Sequence, residues 1–215
     1  MQAILIGFMG SGKSSTAQLL SEQTNLKTYD LDKVIEDTIK MPISKYFNQY
    51  GENQFRKLEN ENLNKVIHLD GVLSTGGGTP INAEGFKTIQ KSHCPTFYLD
   101  ASDAVIENRI QKDKVNDRPL VEELGYSGLI ELKNQRHSIY NKLADYVIKV
   151  DNLNKQQVVE HIIKILNKNS RYNILILTVI FMYTYYISKF CIFCIFRIQV
   201  NIIYFVYIAY IVYIQ

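Results

Sequence analysis

Residues 7–14 read Gly-Phe-Met-Gly-Ser-Gly-Lys-Ser and match G-x-x-x-x-G-K-[ST]; no other stretch constrains this chain's fold as strongly. The motif needs a strand before it and a helix after it. Ala3–Ile6 is a short apolar run, and Lys13 to about Gln23 has helical spacing with Ala17, Leu19 and Leu20 apolar. Glycines let such a loop turn tightly and aim backbone N–H groups into an anion nest, to which the helix start adds its positive dipole end. Lys13 can reach the β- and γ-phosphates, and the Ser14 hydroxyl can ligate Mg²⁺. These residues point to a nucleoside triphosphate site.

The next residues alternate between strands and helices. Strands are expected at 26–29, 71–75, 96–99 and 146–150, and helices over 43–66 (broken near Gly51), 82–90, 102–112, 127–143 and 155–167. Asp32 stands where a helix N-cap belongs, ahead of Val34, Ile35 and Ile39. Residues 113–123 are polar, contain Pro119 and read as a loop. Five strands separated by helices define an α/β fold with a parallel sheet covered on both faces.

Charge divides the 215 residues into two regimes. Residues 1–170 hold 21 Lys+Arg and 21 Asp+Glu, so the formal excess of +3 comes from Arg171, Lys189 and Arg197. A neutral first regime gives no reason to expect a nucleic-acid partner. Cys94 stands alone there, which suits a reducing, cytoplasmic compartment, and residues 1–6 lack the basic start of a secretory leader. Cys191 and Cys194 form a C-x-x-C without redox or zinc context. His68, His93, His137 and His161 show no ligand spacing.

A phosphate loop alone does not choose among ATPases, GTPases and kinases. The chain has no Asn-Lys-x-Asp segment, which counts against a GTPase. Four other features carry chemistry: Asp30-Leu31-Asp32 after strand two; Phe55-Arg56-x-x-Glu59; Gly76-Gly77-Gly78 at the end of strand three; and Arg118-Pro119-Leu120, followed by Arg136 and Tyr140. Taken singly, Asp32 could be only a helix cap, and Arg56 with Glu59 a solvated i,i+3 pair.

In this order and spacing the motifs over residues 1–167 resemble the shikimate kinase family. The resemblance implies a P-loop NTPase fold, three-layer α/β/α, with a mobile lid and substrate-binding helices. It implies ATP with Mg²⁺ as cofactors and shikimate as substrate, bound by a monomer. Gly10, Ser11, Gly12, Lys13, Ser14 and Ser15 would hold ATP, with Arg109 against the adenine and Arg118 closing over the transferring phosphate. Ser14, and Asp30 through water, would serve Mg²⁺. Asp32 would bind the shikimate hydroxyls and act as base; Lys13, Asp32 and Arg118 form the catalytic set. Arg56 and Arg136 would grip the carboxylate, Gly76, Gly77 and Gly78 would bring backbone close to the ring, and Phe47 and Phe55 would wall the pocket. One departure is Val121, where the family usually has a second leucine. A gluconate or nucleoside-monophosphate kinase, and a membrane-tethered nucleotide-binding module, are the alternatives.

Residues 171–215 have no counterpart in that pattern. Tyr172–Gln215 holds 12 Ile, 8 Tyr and 5 Phe, with no acid, Gly or Pro. This bias is what AT-rich non-coding DNA yields when translated, so the tail is expected to be a frameshift or read-through product. The alternative is a membrane anchor of one or two spans, since residues 172–188 are uncharged over the shortest spanning length. A membrane partner is expected only if the tail is genuine.

Overall fold

The computed structural model describes residues 1–112 and 119–189. Five strands form: β1 (Ala3–Ile6), β2 (Thr28–Asp30), β3 (Val72–Ser74), β4 (Thr96–Asp100) and β5 (Tyr146–Lys149). They pair in the order β2-β3-β1-β4-β5, all parallel. β1 and β3 are buried at every residue, as central parallel strands with both faces covered must be. The helices are α1 (Lys13–Thr24), α2 (Leu31–Ile39), α3 (Ile43–Val66), α4 (Ala83–Lys91), α5 (Asp103–Lys112), α6 (Pro119–Leu143) and α7 (Lys155–Lys189).

The strand order fixes the layers. The chain runs from β1 outward to β2, then returns through β3 and onward to β4 and β5. Right-handed crossovers therefore place α1 on one face and α2 to α6 on the other. The Gln23 side-chain amide donates to Gln156 Oε1 at 2.7 Å, which sets the start of α7 beside α1. The α/β architecture with its five-stranded parallel sheet is the one expected. Its core includes Ile4, Leu5, Ile6, Leu20, Leu31, Leu73, Phe97 and Ile162, each at most 1% exposed. Each such side chain contributes about 1.5–3 kcal/mol by leaving water.

Three local expectations differ. Strand β2 runs to Asp30, and Asp30 is the N-cap of α2: its carboxylate accepts from the N–H groups of Asp32 (3.2 Å) and Lys33 (3.4 Å). Asp32 therefore lies in the first helical turn, not at the cap. The span 113–123 is not a loop throughout, because α6 begins at Pro119. Proline suits a first helical position, where its missing N–H costs nothing. That helix breaks at Gly125, where φ is 62°. The break expected near Gly51 is present, with φ 76° and open space around it.

Residues 1–164 form one compact unit and residues 165–215 another. The second unit, as far as it is described, is helix to Lys189, with Ile180, Phe181 and Met182 exposed. Among the described residues no helix is long and apolar enough to cross a membrane. The remainder of the tail, and residues 113–118 of the expected lid with Arg118, lie outside the described residues.

Candidate active site

The carboxyl edge of the sheet gathers the candidate residues. Asp30 pairs in register with Ser74, and Ser74 with Leu5, so the ends of β2, β3 and β1 lie side by side. The switch in strand order falls around β1, where ligands bind in open α/β sheets.

The phosphate loop follows β1 directly. Gly12 caps α1 at φ 100°, a conformation that favours glycine, and leaves no side chain across the helix start. Lys13 is 8% exposed and its Nζ donates to the Phe8 carbonyl at 3.0 Å. Ser15 Oγ donates to the Gly12 carbonyl at 3.1 Å. Ser14 Oγ lies 3.4 Å from Ser74 Oγ at the end of β3. Arg109 sends Nη1 to the carbonyls of Gly10 and Ser11, both at 3.0 Å, fastening α5 to the loop. Among the described residues Ser11 Oγ is buried with no hydrogen-bond partner. An unsatisfied hydroxyl among backbone donors, a buried lysine and the Ser14 hydroxyl is a donor set that fits a triphosphate with Mg²⁺.

A second cluster forms on the residues after β3. A Cβ placed on Gly76 would meet Asp32 Oδ1 at 2.9 Å and Thr79 Oγ1 at 3.1 Å. One placed on Gly78 would meet both Arg56 Nη atoms at 2.8 Å. Gly76 and Gly78 thus bring the glycine run close against Asp32 and Arg56, where a Cβ would displace those side chains. Gly77 faces the phosphate loop, its Cβ position 3.5 Å from the Gly7 carbonyl oxygen and 3.6 Å from the Met9 nitrogen. Arg56 is held from two sides, by Glu59 Oε2 at 2.7 Å and Glu52 Oε1 at 3.3 Å. Phe55 supports it as well, with the guanidinium carbon 5.4 Å from the ring centroid, and Phe47 lies 5.4 Å from Phe55. Arg136 comes from α6, its guanidinium 5.9 Å from the Phe8 ring of the phosphate loop.

Glu59 is not part of a solvated pair. It is 1% exposed, and its second oxygen accepts from Thr79 Oγ1 at 2.6 Å. Sequence reasoning assigned no role to Thr79 or Tyr140. Their signal was position alone: Thr79 directly follows the glycine run, and Tyr140 stands one turn beyond Arg136.

Asp32 keeps an exposed surface, yet protein crowds its carboxyl on most sides. Loss of hydration is the main cause that pushes its pKa up, to about 6. Asp30, Glu59 and Glu36 push the same way, and Lys13 opposes them. Solvent at the open surface screens these neighbouring charges. A carboxyl poised near neutrality is suited to accept a proton from an alcohol.

The fold and these two clusters define an α/β phosphotransferase of the small-molecule kinase class. The family model described as shikimate kinase matches residues 9–167. Shikimate kinase from Streptococcus suis is 38% identical over 165 residues, covering 76% of this chain and 99% of its own. Among solved structures, shikimate kinase from Aquifex aeolicus is 34% identical with a TM-score of 0.64, covering 79% of this chain and 98% of that one. Shikimate kinase from Acinetobacter baumannii, in complex with shikimate, is 27% identical with a TM-score of 0.72, covering 78% and 93%. The chain belongs to the shikimate kinase family.

Proposed function

We propose that this chain phosphorylates the 3-hydroxyl of shikimate with ATP, giving shikimate 3-phosphate and ADP on the route to chorismate and the aromatic amino acids. The observation that carries this reading is the cluster of Asp32, Gly76–Gly78 and Arg56 packed against the phosphate loop. It offers a carboxylate for a hydroxyl, a guanidinium for a carboxylate and bare backbone for a ring between them.

The roles divide by element. The backbone from Gly10 to Ser15 and Lys13 Nζ would hold the phosphates, and Arg109 would keep that loop in shape through its bonds to the Gly10 and Ser11 carbonyls. Ser14 would hold Mg²⁺, with Asp30 acting through water by the oxygen not committed to the cap. The metal supplies charge neutralisation at the phosphates. Asp32 would accept the proton of the attacking hydroxyl. Arg56 and Arg136 would grip the shikimate carboxylate, since planar donors pair with it in bidentate fashion. Phe47 and Phe55 would wall the ring, and Arg118 would close over the transferring phosphoryl. Cys94, a buried free thiol and the one cysteine among the described residues, suits action in the cytoplasm, and the enzyme would work as a monomer.

The test is ADP release by the purified full chain. Release should require shikimate, and gluconate or a nucleoside monophosphate should not replace it. Release independent of shikimate, or supported by either replacement instead, rejects the reading.

A further inference from the structure

Tyr140 is absorbed by neither cluster, yet it touches the parts that join them. It is fully buried on α6, and its hydroxyl donates to the Gly77 carbonyl at 2.6 Å. Gly77 is the member of the glycine run that faces the phosphate loop. Arg136 lies four residues earlier on the same helix, hence on the same face. Its positive charge bears on the phenol oxygen. The Tyr140 hydroxyl therefore ties α6, the helix that carries Arg136, to the Gly77 backbone.

The ring cannot swing away. It packs against Tyr98, centroids 5.1 Å apart, and Tyr98 is anchored by its own hydroxyl to Asp100 Oδ1 at 3.0 Å and to His137 Nδ1 at 3.0 Å. Burial pushes the Tyr140 phenol up to about 12, Arg136 partly offsetting it, so the hydroxyl keeps its proton at physiological pH.

We infer that Tyr140 is a positioning residue for the acceptor: through its hydroxyl it fixes α6, and with it Arg136, against the Gly76–Gly78 backbone. The inference rests on the proposed shikimate reaction and adds to it a residue that touches neither substrate. A carboxylate held by Arg136 and a ring laid against the glycine run must be registered to one another, and the two come from α6 and from the end of β3. A side chain that belongs to α6 and bonds the glycine run sets that register.

Tyr140→Phe removes the hydroxyl and keeps the ring. The measurement is steady-state ADP release by the full chain, with shikimate and ATP varied separately, beside equilibrium binding of ADP. The loss of one buried hydrogen bond should raise the shikimate KM about tenfold, leaving kcat within about threefold and ADP affinity within about twofold. Asn141→Ala, on the same helix with its side-chain nitrogen 2.8 Å from the outer nitrogen of His137, should leave the shikimate KM unchanged. An unchanged shikimate KM in Tyr140→Phe overturns the inference while the wild-type activity stands. So does a parallel loss of kcat, of ADP binding and of shikimate affinity, which would mark a general packing role. A wild-type chain that releases no shikimate-dependent ADP overturns the functional reading, and the inference with it.

Discussion

The phosphate loop and the glycine-run cluster lie against each other and are built on opposite plans. The loop is eight consecutive residues, its shape set by backbone conformation and its cationic charge held within it by the Lys13–Phe8 bond. The cluster is assembled from side chains on α2, α3, α6 and the residues after β3, spanning from Asp32 to Arg136. The first is local and tolerant of what surrounds it. The second exists only when four elements are in place, so changes there should alter recognition of the acceptor before they alter nucleotide binding.

The sharpest separation should come from Asp32→Asn. Loss of the base should lower kcat about 10²–10⁴-fold, with ADP affinity nearly unchanged. In the wild type kcat should rise with pH and level off above about 6, following ionisation of Asp32. For stability the sign is reversed. The folded-state pKa stands above the ordinary 3.8, so the contribution of Asp32 to folding is full at low pH and is lost as pH rises through about 6. The asparagine variant should accordingly melt no lower than wild type at pH 8. If ADP affinity collapsed in this variant, the two regions would not be separable as described.

A smaller effect is expected from Gly78→Ala. The new methyl would press on the Arg56 guanidinium at 2.8 Å, and Arg56 is held in place by Glu59 and Glu52. The shikimate KM should rise about tenfold while the ATP KM holds, on the scale of one misplaced charge-assisted contact. Equal changes in both constants would break the comparison. The smallest effect belongs to Arg109→Ala, which removes two hydrogen bonds to loop carbonyls at a partly exposed site. The ATP KM should rise about three- to tenfold and the shikimate KM should not follow.

Local construction also explains what could be read from sequence. The phosphate loop was legible because its residues are contiguous and its flanks are an apolar run and a helical pattern. β1, β3 and β4 were legible because strands buried on both faces are short, apolar and bounded by polar turns. Asp32, Arg56 and the glycine run came through a conjunction of motifs. The burial of Glu59 did not, because it depends on Thr79, which is 20 residues away and reaches Glu59 only through β3. The cap was misplaced by two residues because Asp30 and Asp32 are both good caps, and the choice between them follows from where β2 ends. The first turns of α6 were hidden by Pro119, which reads as a loop signal although it suits a helix start.

The position of β1 has a consequence for how the protein is made. β1 is synthesised before the other strands of its sheet and lies at the centre, flanked by β3 and β4. Its partners Val72 to Ser74 and Thr96 to Tyr98 emerge much later. At about 5–20 residues per second, about 5–20 s of translation pass before both flanks exist. Through that interval the apolar run Ala3–Ile6 lacks at least one of its two flanks. The earliest-made strand of this sheet is thus among the last to be enclosed, and residues 7–14 behind it wait with it.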